Sequence, residues 1–176
     1  MTTTITRRAL WLIPAAVMLH NLEEGLTFEA MWPTVQGRLA DIGIALWWDR
    51  PQIIAPALAI MAAIVFALIA AAARTPTRMW LWTALLVQAV MLINAGWHVL
   101  IAITVMHGYT PGLITAVALN VPLSWYVCAI ARRERWISRT ALLLLIPAAL
   151  FLHVFGIVAL MAATEEAIPS SPLIPM

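Results

Sequence analysis

The sequence predicts an all-α, polytopic membrane protein: five transmembrane helices, with an interfacial helix between the first and the second, forming one bundle over residues 1–176. Three observations carry this. Hydrophobic residues make up 64% of the chain and charged residues 10%, with a mean hydropathy of +0.95, which lies outside the soluble globular range. Apolar runs of roughly 20 residues recur, the length that crosses about 30 Å of hydrocarbon at about 1.5 Å per residue. The cations are all arginines, clustered between those runs rather than along one face. That spacing argues against nucleic acid as a partner. The single cysteine, Cys128, lies within an apolar run and has no intrachain disulfide partner.

The predicted spans are residues 9–28, 51–73, 79–105, 111–131 and 140–163. Connections two to four are short, so those neighbours are expected to run antiparallel. Arg7 and Arg8, Arg74 and Arg78, and Arg132, Arg133, Arg135 and Arg139 fall on one side of the five spans. Only Arg38 and Arg50 fall opposite, so the positive-inside rule places the amino terminus in the cytoplasm and the carboxy terminus outside the plasma membrane. Trp11, Trp80, Trp82 and Trp136 are expected as anchors at the inner interface, Trp47 and Trp48 at the outer. The long first connection, residues 29–50, differs. After Trp32-Pro33, Val35, Leu39, Ile42, Leu46 and Trp47 recur at helical spacing, which predicts an interfacial helix, either a plain amphipathic connector or a lid over an outward-opening site. Residues 164–176, with Glu165, Glu166 and three prolines, read as a flexible external tail.

The first span carries the string His20-Asn21-Leu22-Glu23-Glu24. Ionisable side chains at bilayer depth are costly and face a protein interior or a wet cavity. His20, Glu23 and Glu24 stand three and four residues apart, so one helical sector can hold all three. Counting about 1.5 Å per residue from the inner ends puts these residues roughly 16 to 23 Å up, Asn94 and His98 roughly 22 to 29 Å, His153 roughly 20 Å, and Thr115 and Asn120 about 15 to 23 Å. Four helices thus supply polar residues to one layer. Asn120 precedes Val121-Pro122, so it is expected either in that layer or satisfying backbone freed by the proline. His107 reads as a loop residue.

These residues carry a resemblance. His20, Glu23 and Glu24, the NxxxH string Asn94 to His98, and Tyr109-Thr110-Pro111-Gly112 resemble the motifs of the integral membrane proteins named for an HXXEE motif, over about residues 9–130. The resemblance implies a multi-span membrane protein with a suspected enzymatic role and supplies no substrate.

From residue types alone, His20, Glu23, Glu24, His98 and His153 form a set of imidazoles and carboxylates suited to a divalent metal such as zinc, iron or manganese. Glu23 and Glu24 double as candidate catalytic groups. Asn94 is the third, as a supporting donor or an oxyanion stabiliser. The pattern is neither HExxH nor HxxEH, because Glu24 stands where a second histidine would, so no protease analogy follows. The expected function is a metal-dependent enzyme acting on a lipidic small molecule within the bilayer. One alternative is a metal-free acid/base isomerase or cyclase of a sterol- or terpene-like lipid, with Trp97 and Trp125 stabilising a carbocation. Another is a non-enzymatic proton- or ion-coupled carrier or a structural bundle. Finally, residues 12–20, LIPAAVMLH, and 145–153, LIPAALFLH, agree at seven of nine positions. Pro14 and Pro147 each precede a histidine by six residues, which predicts two kinked helices aiming His20 and His153 at each other.

Overall fold

A computed structural model describes residues 8–45 and 50–168. Among these the chain is all-helical. Helix α1 covers Leu12–Asp41. A 3₁₀ turn, Pro51–Ile53, leads into α2, Ile54–Arg74. Helix α3, Arg78–Ile101, ends in a π-helical turn, Ala102–Met106. Helix α4 begins at Leu113–Thr115, passes through a second π turn at Ala116–Asn120 and continues over Val121–Arg133. Helix α5 covers Arg139–Ala167.

Local chemistry sets these boundaries. Thr77 and Ser138 cap α3 and α5, their hydroxyls accepting from the amides of Trp80 and Ala141. His107, at φ 50°, turns the chain out of the π turn that ends α3 and is exposed, as expected of a loop residue. The π turn of α4 comes directly before Pro122, where an α-helix would lose a hydrogen bond; the wider turn absorbs that loss without breaking the helix.

Among the described residues, four helices are long and apolar enough to cross a membrane: Pro51–Arg74, Arg78–Met106, Leu113–Arg133 and Thr140–Ala167. They coincide with the second to fifth expected spans. The first differs. Helix α1 is continuous for 30 residues, so the expected break at Trp32-Pro33 and the separate interfacial helix are absent. Pro33 is exposed, and its ring and missing N–H are tolerated on the open side of α1. The last part of the expected helix, Leu46 to Trp48, lies outside the described residues. Residues 164–167, expected in the tail, belong to α5, and residues 169–176 lie outside the described residues. Pro14 falls in the first turn of α1, where its missing N–H leaves no bond unmade, and Pro147 lies inside α5.

The surface is apolar and the interior holds the polar groups. Phe151, Phe155, Leu143, Leu144, Ile103 and Trp125 face outward, while His20, Gln88, Asn94, Asn120, Ser124 and His153 are buried. An exposed apolar belt of this extent suits a membrane. Helix α3 is the centre, packing on α2, α4 and α5; α1 packs on α2 and α4. One apolar cluster joins Leu10, Ile13 and Val17 to Ile69, Leu85 and Val127. A second joins Ile53, Ile54, Ala57 and Leu58 to Met161, with Phe28 packed against it. Along α1, His20 and the two glutamates fall between these clusters. Since lipid is as apolar as leucine, close packing rather than hydrophobic transfer holds such layers together.

Candidate metal centre

Adjacent glutamates on a helix point about 100° apart, and Glu23 and Glu24 use that angle to do different things. Glu23 turns to the start of α4. Its Oε2 accepts from the Thr115 amide at 2.7 Å and the Thr115 hydroxyl at 2.5 Å. Its Oε1 accepts from the Tyr109 hydroxyl at 2.7 Å and the Ile114 amide at 3.2 Å. Ile114 and Thr115 are the second and third residues of α4, whose first amides have no intrahelical acceptor, so Glu23 serves as a cap supplied by another helix. Tyr109 lies between α3 and α4. Burial, aided by the Glu23 carboxylate, raises its phenol above the ordinary value, so it remains a donor at neutral pH.

Glu24 turns to the imidazoles. Its Oε2 lies 3.6 Å from His20 Nε2 and 4.0 Å from His98 Nε2. The two rings stand edge to face with centroids 5.0 Å apart. One ligand atom from each of His20, Glu24 and His98 falls within 4.8 Å of the others. His20 comes from α1 and His98 from α3, so the group forms only where these helices meet around the α3–α4 connection.

Hydrogen-bond accounting fixes the His20 tautomer. Its Nδ1 lies 3.1 Å from Thr115 Oγ1. Thr115 has one hydroxyl proton and spends it on Glu23 Oε2, so His20 Nδ1 is the donor and Nε2 carries the free lone pair. That Nε2 is buried, finds no protein hydrogen-bond partner and faces Glu24. A buried nitrogen acceptor beside a carboxylate and a second imidazole fits a divalent cation. The row Glu23–Thr115–His20 matches the outer support that metal-bound histidines receive through their second nitrogen.

Gly112 closes the group on the side of the α3–α4 connection. It holds φ +81° at the start of α4, and a Cβ there would sit 2.9 Å from His20 Cε1 and 3.0 Å from His98 Cε1. A side chain at this position has no room beside the two rings.

Above the three residues is a cavity of about 150 Å³. Glu24, Asn94, His98 and His153 provide its polar wall; Phe28, Trp97, Ile101 and Ile157 are among its apolar ones. Val35 and Leu39 also line it, so the outer half of α1 covers the site as part of one long helix.

The structure therefore divides the expected site residues. His20, Glu24 and His98 converge. Glu23, expected as a ligand and a catalytic group, has both oxygens engaged by four donors and stands outside the converging group. His153 is buried and lines the cavity but is also outside that group, and the ring that meets His20 is that of His98, not His153. Asn94 lines the cavity with its Oδ1 free of protein partners. Of the two tryptophans considered for a carbocation, Trp97 lines the cavity and Trp125 is 82% exposed on the outer surface. The roles of Thr115, Tyr109 and Gly112 were not assigned from sequence. Tyr109-Thr110-Pro111-Gly112 at the mouth of the fourth span carried the signal, but nothing in it tells that a carboxylate from another helix docks there.

The sequence profile of a family described as "protein of unknown function with HXXEE motif" matches residues 11–127. The chain belongs to this family. The matched stretch contains all three converging residues, Glu23 and the whole of its cap, whereas His153 lies beyond it. No curated protein and no solved structure matches the chain.

Proposed function

We propose that this member of the HXXEE family is an integral membrane enzyme that binds one divalent metal ion through His20, Glu24 and His98 and acts on a lipid-dissolved substrate. The convergence of those three ligand atoms carries the reading. In a tetrahedral site with bonds of about 2.0–2.1 Å, ligand atoms stand roughly 3.3 Å apart. The separations of 3.6 and 4.0 Å around Glu24 Oε2 would need to shorten, and the three ligand atoms, now within 4.8 Å of one another, to draw together around an ion. Two histidines and one carboxylate suit zinc or non-haem iron, and manganese less specifically. Three protein ligands leave a position open toward the cavity, as catalytic sites do. A bound ion would supply Lewis acidity or lower the pKa of a water.

The chain's own residues delimit the substrate. The cavity is walled by Phe28, Trp97, Ile101 and Ile157 and has no arginine in its lining, which favours an uncharged oxygen-bearing head over a phosphate or carboxylate. Its size suits one ring or a short branched segment, with the remainder of the molecule in lipid. Asn94, at the polar wall, is placed to donate to such an oxygen.

In the same reading α1 is the fifth crossing. Met18, Leu19, Leu22 and Leu26 point outward while His20 and Asn21 are buried, the pattern of a span whose polar residues serve the interior. The arginine distribution then gives an amino terminus in the cytoplasm and a carboxy terminus outside.

Elemental analysis of protein purified in detergent tests the centre. Wild type is expected to retain about one zinc, iron or manganese per chain, and His20→Ala, Glu24→Gln and His98→Ala to lose it. Equal metal content in all four proteins, or none in wild type after incubation with each ion, sinks the reading. Turnover of a lipid extract that survives chelation would instead assign the site to metal-free acid/base chemistry.

A further inference from the structure

The arginine-rich end of the bundle carries an open groove that shares no lining residue with the cavity beside Glu24. It has a volume of about 580 Å³ and follows the seam where α3 packs on α5. Arg78, Met79, Trp82, Thr83 and Leu86 of α3 line it, with Leu145 of α5 as the facing wall. Leu86 stands eight residues beyond Arg78, so the groove extends about 12 Å along the helix, from the charged end into the apolar belt.

Its mouth is built to meet an anion. The Arg78 guanidinium lies over the Trp82 ring at 6.0 Å, and Trp82 is itself fixed by the bond from its Nε1 to the Trp136 carbonyl at 2.8 Å. A guanidinium stacked on an aromatic face keeps its in-plane N–H donors free. Among the described residues no carboxylate pairs with Arg78: the acid at this end, Glu134, lies 3.9 Å from Arg133 and accepts from Trp136 Nε1. Arg78 and Met79 also open a helix of 24 residues, whose first amides lack intrahelical acceptors and add positive potential. Arg74, Arg132, Arg133 and Arg135, all exposed, raise that potential further.

We propose that this groove holds one anionic phospholipid, with its phosphate on Arg78 and one acyl chain lying between Leu86 and Leu145. Basic pockets between transmembrane helices are where such headgroups bind. A free phosphate would occupy only the mouth and leave the apolar stretch of Met79, Leu86 and Leu145 unused. A neutral lipid would leave the arginine without a counter-ion. The site is distinct from the proposed substrate cavity, which has no arginine in its lining. The lipid site rests on the membrane placement of α3 and α5 and not on the metal.

Full-length protein, stripped of lipid in detergent and titrated with dioleoylphosphatidylglycerol under native mass spectrometry, tests the site. Wild type is expected to take up one phosphatidylglycerol ahead of phosphatidylcholine. Arg78→Gln is expected to weaken that binding about fivefold, the worth of one arginine at an anionic surface. Leu86→Trp, which fills the apolar stretch, is expected to weaken it as well. Arg132→Gln removes an exposed arginine outside the groove and is expected to bind as wild type does. Equal binding of the two lipids, or equal losses in Arg78→Gln and Arg132→Gln, would mean diffuse attraction and overturn the site. Full displacement of the lipid by inorganic phosphate would overturn it too, since the chain would then add nothing. So would a lipid-independent dimer that Leu86→Trp dissociates, because the groove would belong to a second copy. Release of the chain from membranes by alkaline carbonate would reject the placement itself, whereas the other failures reject the lipid site alone.

Discussion

At the residue scale, two neighbouring glutamates divide structural and chemical work. Among the described residues, Glu24 is the acid that joins the imidazoles, while Glu23 is consumed by four donors. Separate losses follow. Glu24→Gln is expected to abolish metal retention with little loss of stability, because the carboxylate it removes satisfies no donor within hydrogen-bonding distance. Acidification is expected to release the metal as well, since its ligands bind only when deprotonated. Gly112 gives the sharpest steric prediction. Gly112→Ala places a methyl 2.9 and 3.0 Å from two rings at a backbone angle that disfavours a side chain, so destabilisation of about 1–3 kcal/mol is expected together with lost metal. Thermal unfolding and metal content, measured on the same sample, check both parts. Unchanged behaviour would mean that the rings do not lie against Gly112.

At the scale of elements, the start of α4 depends on a group from α1. The amides of Ile114 and Thr115 have no intrahelical acceptor, and Glu23 accepts from both. In Glu23→Ala the two amides are left unpaired, at a cost of about 1–3 kcal/mol, and His20 loses its outer support. Hydrogen exchange is expected to rise at Ile114 and Thr115 and to stay unchanged in the middle of α5. Uniform acceleration across all helices would argue against a local cap. Glu23→Gln is expected to fall between wild type and alanine, because one amide oxygen still accepts while the new nitrogen faces donors. The same scale explains the continuity of α1. A proline after Trp32 reads as a stop, yet Pro33 sits on an exposed side where no packing is lost, and the helix carries Val35 and Leu39 onward to the cavity.

At the scale of the whole molecule, an apolar exterior around a polar interior supports the proposed placement in a membrane. Arg74, Arg78, Arg132, Arg133 and Arg135 flank the short connections at one end of the bundle, where Arg78 stacks over Trp82 at 6.0 Å and Trp82 Nε1 donates to the Trp136 carbonyl. Arg50 lies at the other end, its guanidinium donating to the Ile168 carbonyl at 2.9 Å. In intact cells, cysteines introduced at Glu166 and at Arg74 in a Cys128→Ser background are expected to react with a membrane-impermeant thiol reagent only at position 166. Labelling of both positions, or of position 74 alone, would reject the orientation.

The existence of α2 to α5, their approximate limits and the need to shelter His20, Glu24 and His98 together follow from the sequence, because hydropathy is written residue by residue and charges at bilayer depth require company. Depth counting even put the right residues in one layer. It could not supply rotation about the helix axes, since residues at one height face every direction. The packing of α1 against α3 and α4 therefore decided that Glu23 caps a helix while Glu24 meets the histidines, that His98 rather than His153 stands beside His20, and that the Asn120 side chain makes no hydrogen bond to the backbone.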